Sequence, residues 1–285
     1  MIGGVPDFEH LSQSDANVVA RVLGVLLGDE YRRQFLPVLL ARADLAQTAD
    51  WAAPSVQPVF FSQPLRAWMR ARTEDPGQVA VLQAEITSFL ALPPVFNLRR
   101  NVDGSLTKPR GWNRRFIAEM LERNPDLLVD LDADLVEARL WLFEEMADTE
   151  VSLLLQAGDV LILAAVSWLT DLHRTSRKPA LREYRVTLLM RQYLVGLYLS
   201  QSARCRVHQL ALTCSAAVPR RQDVPVEHLA ELVPSAGCSF ALHHVTWQDV
   251  YEIAEHTLPA GHGLLSYMAS KRARRGNSTF PLVAR

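Results

Sequence analysis

Residues 160–166, VLILAAV, form an unbroken apolar run, and Gln156-Ala157-Gly158-Asp159 just before it is a tight-turn signal. A run of this length reads as a strand buried on both faces, the place of a central strand in a sheet covered by helices. It is far shorter than the roughly 20 residues needed to cross a bilayer. Any fold for this chain must therefore supply apolar cover on two sides of one strand.

The flanking segments predict that cover. VEARLWLFEE (136–145), TEVSLLLQ (149–156) and DVLILAAVSWL (159–169) read as three strands. A basic loop at 173–179 and a helix over 181–200 follow. In that helix Val186, Leu189, Met190, Tyr193, Leu194 and Leu197 keep the spacing of one apolar stripe. RVHQLALT (206–213) reads as a strand returning parallel after the helical crossover. Helix 226–233, strand 238–245 and helices 246–257 and 262–274 complete the chain. Upstream, helices are expected at 14–27, at 29–42 (disturbed by Pro37), at 64–73, 77–91 and 114–123, with a short strand in PVFF at 58–61. The fold class is α/β (α+β): a mixed sheet flanked by helices. Its division is a helical N-terminal region, 1–124, and an α/β core, 125–285, or one continuous domain.

The 285 residues are 49% apolar and 21% charged, enough for a sizeable core. With 30 basic against 31 acidic side chains, a globally basic nucleic-acid coat is excluded and a local patch is not. Three cysteines, Cys205, Cys214 and Cys238, argue against a secreted disulfide scaffold. The opening MIGGVPDFEHLSQSD lacks the basic and apolar regions of a signal peptide, so a cytoplasmic protein is expected.

The strand–strand–strand–helix–strand order resembles the PD-(D/E)XK nuclease fold of restriction and defence enzymes. The text that carries the resemblance is TEVSLLLQAGDVLILAAVSWLTDLHR followed by LLMRQYLVGL, with CRVHQLALT, VTWQDVYEIAEHTL and the opening SDANVVARVLGVLLGDEYRRQFLPVLLARADL in support. The resemblance implies two acids that bind Mg²⁺, and a lysine two residues after the second acid. Carried over, the first acid falls on Glu150, the second on Ala165 and the lysine on Ser167. Alanine offers no metal ligand and serine no cation, so the motif is degenerate. A competing register sets the first acid at Arg139. Asp171 and His173 lie just beyond as candidate substitutes.

The expected function is that of a catalytically inactive nucleic-acid-binding or scaffolding subunit with no cofactor of its own. The resemblance adds a setting beside a nuclease or ATPase partner in bacterial antiviral defence or DNA repair, with no membrane role. Phosphate contacts are expected from Arg110, Arg114, Arg115, Arg174, Arg177, Lys178, Arg182 and Arg185, where cations outnumber acids. Trp112 in the basic loop 99–115 is a candidate for base stacking. One alternative is a divergent Mg²⁺-dependent DNA nuclease using Glu150 with displaced acids. Another is an Fe(II)/2-oxoglutarate-type oxygenase, whose His-x-Asp pair is missing, since the only histidine before His173 is His10. A zinc set of the three cysteines with His243 fits no common spacing. Phosphate-loop, dinucleotide and hydrolase-elbow motifs are absent from the sequence.

Overall fold

The structure is a computed structural model that describes residues 15–101, 106–107, 113–127, 131–167, 175–203, 205–213, 226–234 and 242–273. The elements run α1 (Asp15–Leu26), α2 (Arg32–Arg42), β1 (Gln57–Ser62), α3 (Pro64–Thr73), α4 (Pro76–Phe89), β2 (Arg99–Arg100), β3 (Leu106–Thr107), α5 (Arg114–Glu122) and α6 (Ala133–Asp148). They continue with β4 (Val151–Ala157), β5 (Val160–Val166), α7 (Pro179–Arg182), α8 (Leu188–Ala203), β6 (Arg206–Thr213), α9 (Val226–Leu232), β7 (Leu242–Thr246), α10 (Trp247–Thr257) and α11 (Gly263–Ala273).

An open five-stranded mixed sheet has the order β1-β4-β5-β6-β7. The first three strands are antiparallel, and β6 and β7 run parallel to β5. The apolar run is β5, the central strand. Its residues alternate between two cores. Val160, Ile162, Ala164 and Val166 pack with α1, α2 and α10, while Leu161 and Leu163 pack with α6 and α8. Burial on both faces is why the strand carries no polar alternation. Gly158, at φ +56°, closes the β4–β5 turn in a conformation that side-chain-bearing residues rarely adopt. Gly196 lets α8 sit close on the sheet, because a Cβ there would come within 2.5 Å of Val207 Cγ1 and 2.8 Å of Leu163 Cδ1.

Two expectations are corrected. Residues 136–145 are helical, not a strand, and lie within α6. Asp132 caps that helix by accepting from the Asp134 amide at 2.9 Å. The meander's outer strand is instead β1, which pairs antiparallel with β4 from Gln57↔Gln156 to Ser62↔Val151. The helix expected over 181–200 is two helices, α7 and α8, separated by a turn in which Arg185 has φ +47°. The segments on either side of residue 124 share one sheet, through β1, and one core, through α1 and α2 against α10.

With 136–145 helical, Arg139 leaves the metal-site register. It is 5% exposed, and its guanidinium donates to the carbonyls of Leu232 (2.9 Å), Ala91 (2.9 Å) and Glu231 (2.8 Å). One buried cation thus ties α6 to the ends of α4 and α9, and burial lowers its pKa from the usual arginine value. None of the described helices is long and apolar enough to cross a membrane.

Candidate nucleic-acid interface

The three positions of the degenerate motif meet at the open end of the β4–β5 hairpin. The register pairs Leu153 with Ala164 and Leu154 with Leu163. Continued outward, it sets Glu150 opposite Ser167. Glu150 is exposed, and its carbonyl accepts from Gln192 Nε2 at 3.0 Å. Gln192 in turn accepts from Gln209 Nε2 at 2.8 Å, and both glutamines are fully buried. This amide relay joins β6 and α8 to the hairpin end. Ser167 is 5% exposed; its amide donates to Leu212 O at 2.8 Å, and its carbonyl accepts from Trp247 Nε1 at 3.0 Å.

Ala165 is fully buried in a small cluster with Leu189 and Ala211, edged by Leu188 and Leu242. The first turn of α8 thus contributes a leucine to the cluster that buries Ala165. No group of three or more histidine, cysteine or acidic residues able to hold a metal occurs among the described residues. The candidate substitutes Asp171 and His173, and the cations Arg110 and Arg174, lie outside the described residues, as do Trp112, Cys214 and Cys238.

Beside the hairpin stands a closed basic loop, 175–187. A bridge between Thr175 and Thr187 and a 2.7 Å bond from the Ser176 amide to Val186 O pinch its base. Leu181 and Val186, both fully buried, hold it in the core shared by α6 and α8. Pro179 opens α7 at a position where its missing N–H has no cost. Ser176 Oγ donates to Glu145 Oε1 at 2.6 Å, and Arg191 Nη1 donates to Glu145 Oε2 at 3.1 Å. A single carboxylate on α6 thus fastens the loop and α8 together.

The cations of this loop divide by role. Arg177, Arg182 and Arg185 are exposed and make no ion pair with any described residue. Lys178 is half-buried, with Nζ 4.0 Å from the centroid of the Trp141 ring. Arg114 and Arg115 stand on α5 in ion pairs, with Asp134 at 2.6 Å and Glu119 at 3.0 Å. Arg114 on α5 is therefore tied to the start of α6, the helix whose Glu145 holds the loop further along. Tyr184 sits between them in charge terms. Burial raises its pKa, with Glu231, Glu183 and Asp132 adding to the effect and Arg139 opposing it.

No protein-family model, curated protein or solved structure matches this chain.

A second polar cluster lies on the opposite face of the sheet. His243 Nδ1 sits 2.7 Å from Ala43 O, a carbonyl that can only accept, so Nδ1 carries a proton. In the neutral ring His243 Nε2 then accepts from His208 Nδ1 at 3.2 Å. Burial lowers the His208 pKa, with His243 and Arg206 adding to the effect. The next residue, His244, pairs with Ala211 and so lies on the α8 face instead; its Nε2 is 2.8 Å from Thr213 Oγ1, and burial lowers its pKa against the pull of Asp249. His243 is thus occupied in strand-to-helix bonding, and Cys205 is half-buried.

Sequence reasoning does not find Trp141 and Glu145 beside the basic loop, because both fall in the segment read as a strand. The signal was present: Val136, Leu140, Phe143 and Ala147 recur at helical spacing, and all four are buried.

Proposed function

We propose that this chain is a nucleic-acid-binding protein without nuclease chemistry, built on a PD-(D/E)XK-like sheet whose metal site has been replaced by packing. The strand order supports the fold reading: an antiparallel meander β1-β4-β5, then a helix, then a strand parallel to β5. The four helices between β1 and β4 are an elaboration of that order.

The observation that carries the functional reading is a juxtaposition. Exposed arginines with no acidic partner among the described residues stand on a firmly held loop, beside a hairpin end where Ala165 is buried in a cluster with Leu189 and Ala211. Unpaired surface guanidinium groups are suited to phosphate oxygens, which they engage in paired hydrogen bonds. Such contacts give binding that is independent of sequence and steeply dependent on salt. Alanine at position 165 supplies no second carboxylate beside Glu150 to hold Mg²⁺ against a scissile phosphate.

The test has two arms. Plasmid incubated with the protein and Mg²⁺ or Mn²⁺ stays intact, and affinity for a short DNA falls linearly in log–log form as salt rises. Metal-dependent nicking, lost in a Glu150→Gln variant, favours the divergent nuclease instead. Binding absent even at low salt removes the nucleic-acid reading.

A further inference from the structure

We infer that His208 and His243 form a two-proton switch: one added proton keeps the bridge from β6 through β7 to the end of α2, and a second breaks it between the two rings.

The bridge joins three elements. Ala43, the C-cap of α2, offers its carbonyl to His243 Nδ1 on β7 at 2.7 Å, and His243 Nε2 faces His208 Nδ1 on β6 at 3.2 Å. The rings meet edge to face with centroids 5.2 Å apart. Both residues are half-buried, so protons from solvent reach them. The Ala43 carbonyl fixes a proton on Nδ1 of His243 and leaves Nε2 as the nitrogen whose protonation varies.

The proton count decides the contact. With both rings neutral, one proton lies between the facing nitrogens. One added proton still leaves a donor on one ring and a lone pair on the other, whichever ring carries the charge, and the bond becomes charge-assisted. A second puts N–H on both facing nitrogens. Two donors and two like charges have no means of holding a 3.2 Å contact.

The surrounding charges do not offset this. Arg206 on β6 is held by Asp159 at 3.1 Å and adds to the repulsion at His208. Arg42, at the end of α2, pairs with Asp249 (3.8 Å) and Glu252 (3.5 Å) on α10. Asp44 is exposed, and His244 lies on the opposite face of β7. No carboxylate among the described residues bonds to either ring of the pair.

The break has a direction. His243 as imidazolium keeps Ala43 O, because a cation at a helix C-terminus is favoured by the helix dipole and the bond gains charge assistance. His208 stands two residues from the exposed start of β6 and turns away. Ala43, Leu210 and Val245 stay buried in one apolar core, so α2 and the sheet hold together while the ring moves.

The experiment is an acid titration of the full chain carrying ¹⁵N-labelled histidine, followed by NMR. A coupling across the hydrogen bond between His208 Nδ1 and His243 Nε2 should be present at neutral pH, persist through the first protonation step and vanish at the second, with the backbone spectrum still that of the folded protein. The His243 Nδ1 proton should remain visible through both steps. In His243→Gln, His208 should titrate in a single step at higher pH than in wild type, since a neighbouring charge is gone. The inference is overturned if the coupling is absent at neutral pH, if it is lost with the first proton, or if the chain unfolds before it is lost. It is also overturned if the His243 Nδ1 proton disappears together with the coupling, or if His243→Gln leaves the His208 midpoint where it was.

Discussion

Leu189 and Ala165 share one small buried cluster with Ala211, and neither side chain is reached by solvent. The cluster joins the first turn of α8 to the central strand at the position that the proposed PD-(D/E)XK-like reading assigns to the second acid. A site filled by a leucine cannot be reopened by restoring one side chain.

Ala165→Asp should therefore destabilise the protein by about 3 kcal/mol or more, since a carboxylate would be buried without a partner in an apolar cluster. Paired with Ser167→Lys, it should confer no Mg²⁺-dependent cleavage. Urea unfolding and a plasmid assay check both statements. A stable double variant that nicks DNA would mean that the leucine is readily displaced.

Glu145→Ala should loosen the basic loop. It removes the acceptor for Ser176 Oγ and leaves Arg191, with only 22% of its side chain exposed, without its carboxylate. A cost of about 1–3 kcal/mol is expected. Amide exchange should rise across 175–187 and less in β4 and β5, as mass spectrometry of exchanged peptides can read. Unchanged exchange in the loop would show that Leu181 and Val186 hold it alone.

Stability should fall as the solution is acidified below about pH 6.5, the ordinary histidine pKa. The sign follows from His208 and His244, whose folded-state pKa values are held down by burial. The unfolded chain then binds more protons than the native one in the window below the unfolded pKa, so protons favour unfolding. The contribution is fully present above that pKa and lost as pH drops through the depressed values. His208→Gln/His244→Gln should flatten the dependence of the urea midpoint between neutral and mildly acidic pH. The same slope in wild type and variant would contradict the assignment to these two rings.

Much of the sheet was legible because its signal is local. The apolar run of β5, the turn at Gly158 and the apolar stripe from Val186 to Leu197 each announce themselves within a few residues. Long-range pairing was not. β1 finds its partner β4 across four intervening helices, and a short PVFF segment carries no mark of that partner. The α6 error has a physical root as well. LWLF at 140–143 is a compact apolar run that suits a strand, and the choice is settled by the Asp132 cap and by Arg139, whose three carbonyl acceptors come from distant segments. The candidate interface was half legible: its arginines stand out as a charge run, but the pinch from Thr175 to Thr187 and the Lys178–Trp141 contact exist only once the chain is folded.

The most direct measurement is a salt series of DNA binding for wild type and an Arg177→Glu/Arg182→Glu/Arg185→Glu variant. Wild type should lose affinity steeply with rising salt. The variant should bind at least about tenfold more weakly at low salt, with a log–log slope shallower by roughly the number of phosphate contacts removed. Equal affinity and equal slope in the two proteins would place any nucleic-acid contact elsewhere and contradict the account.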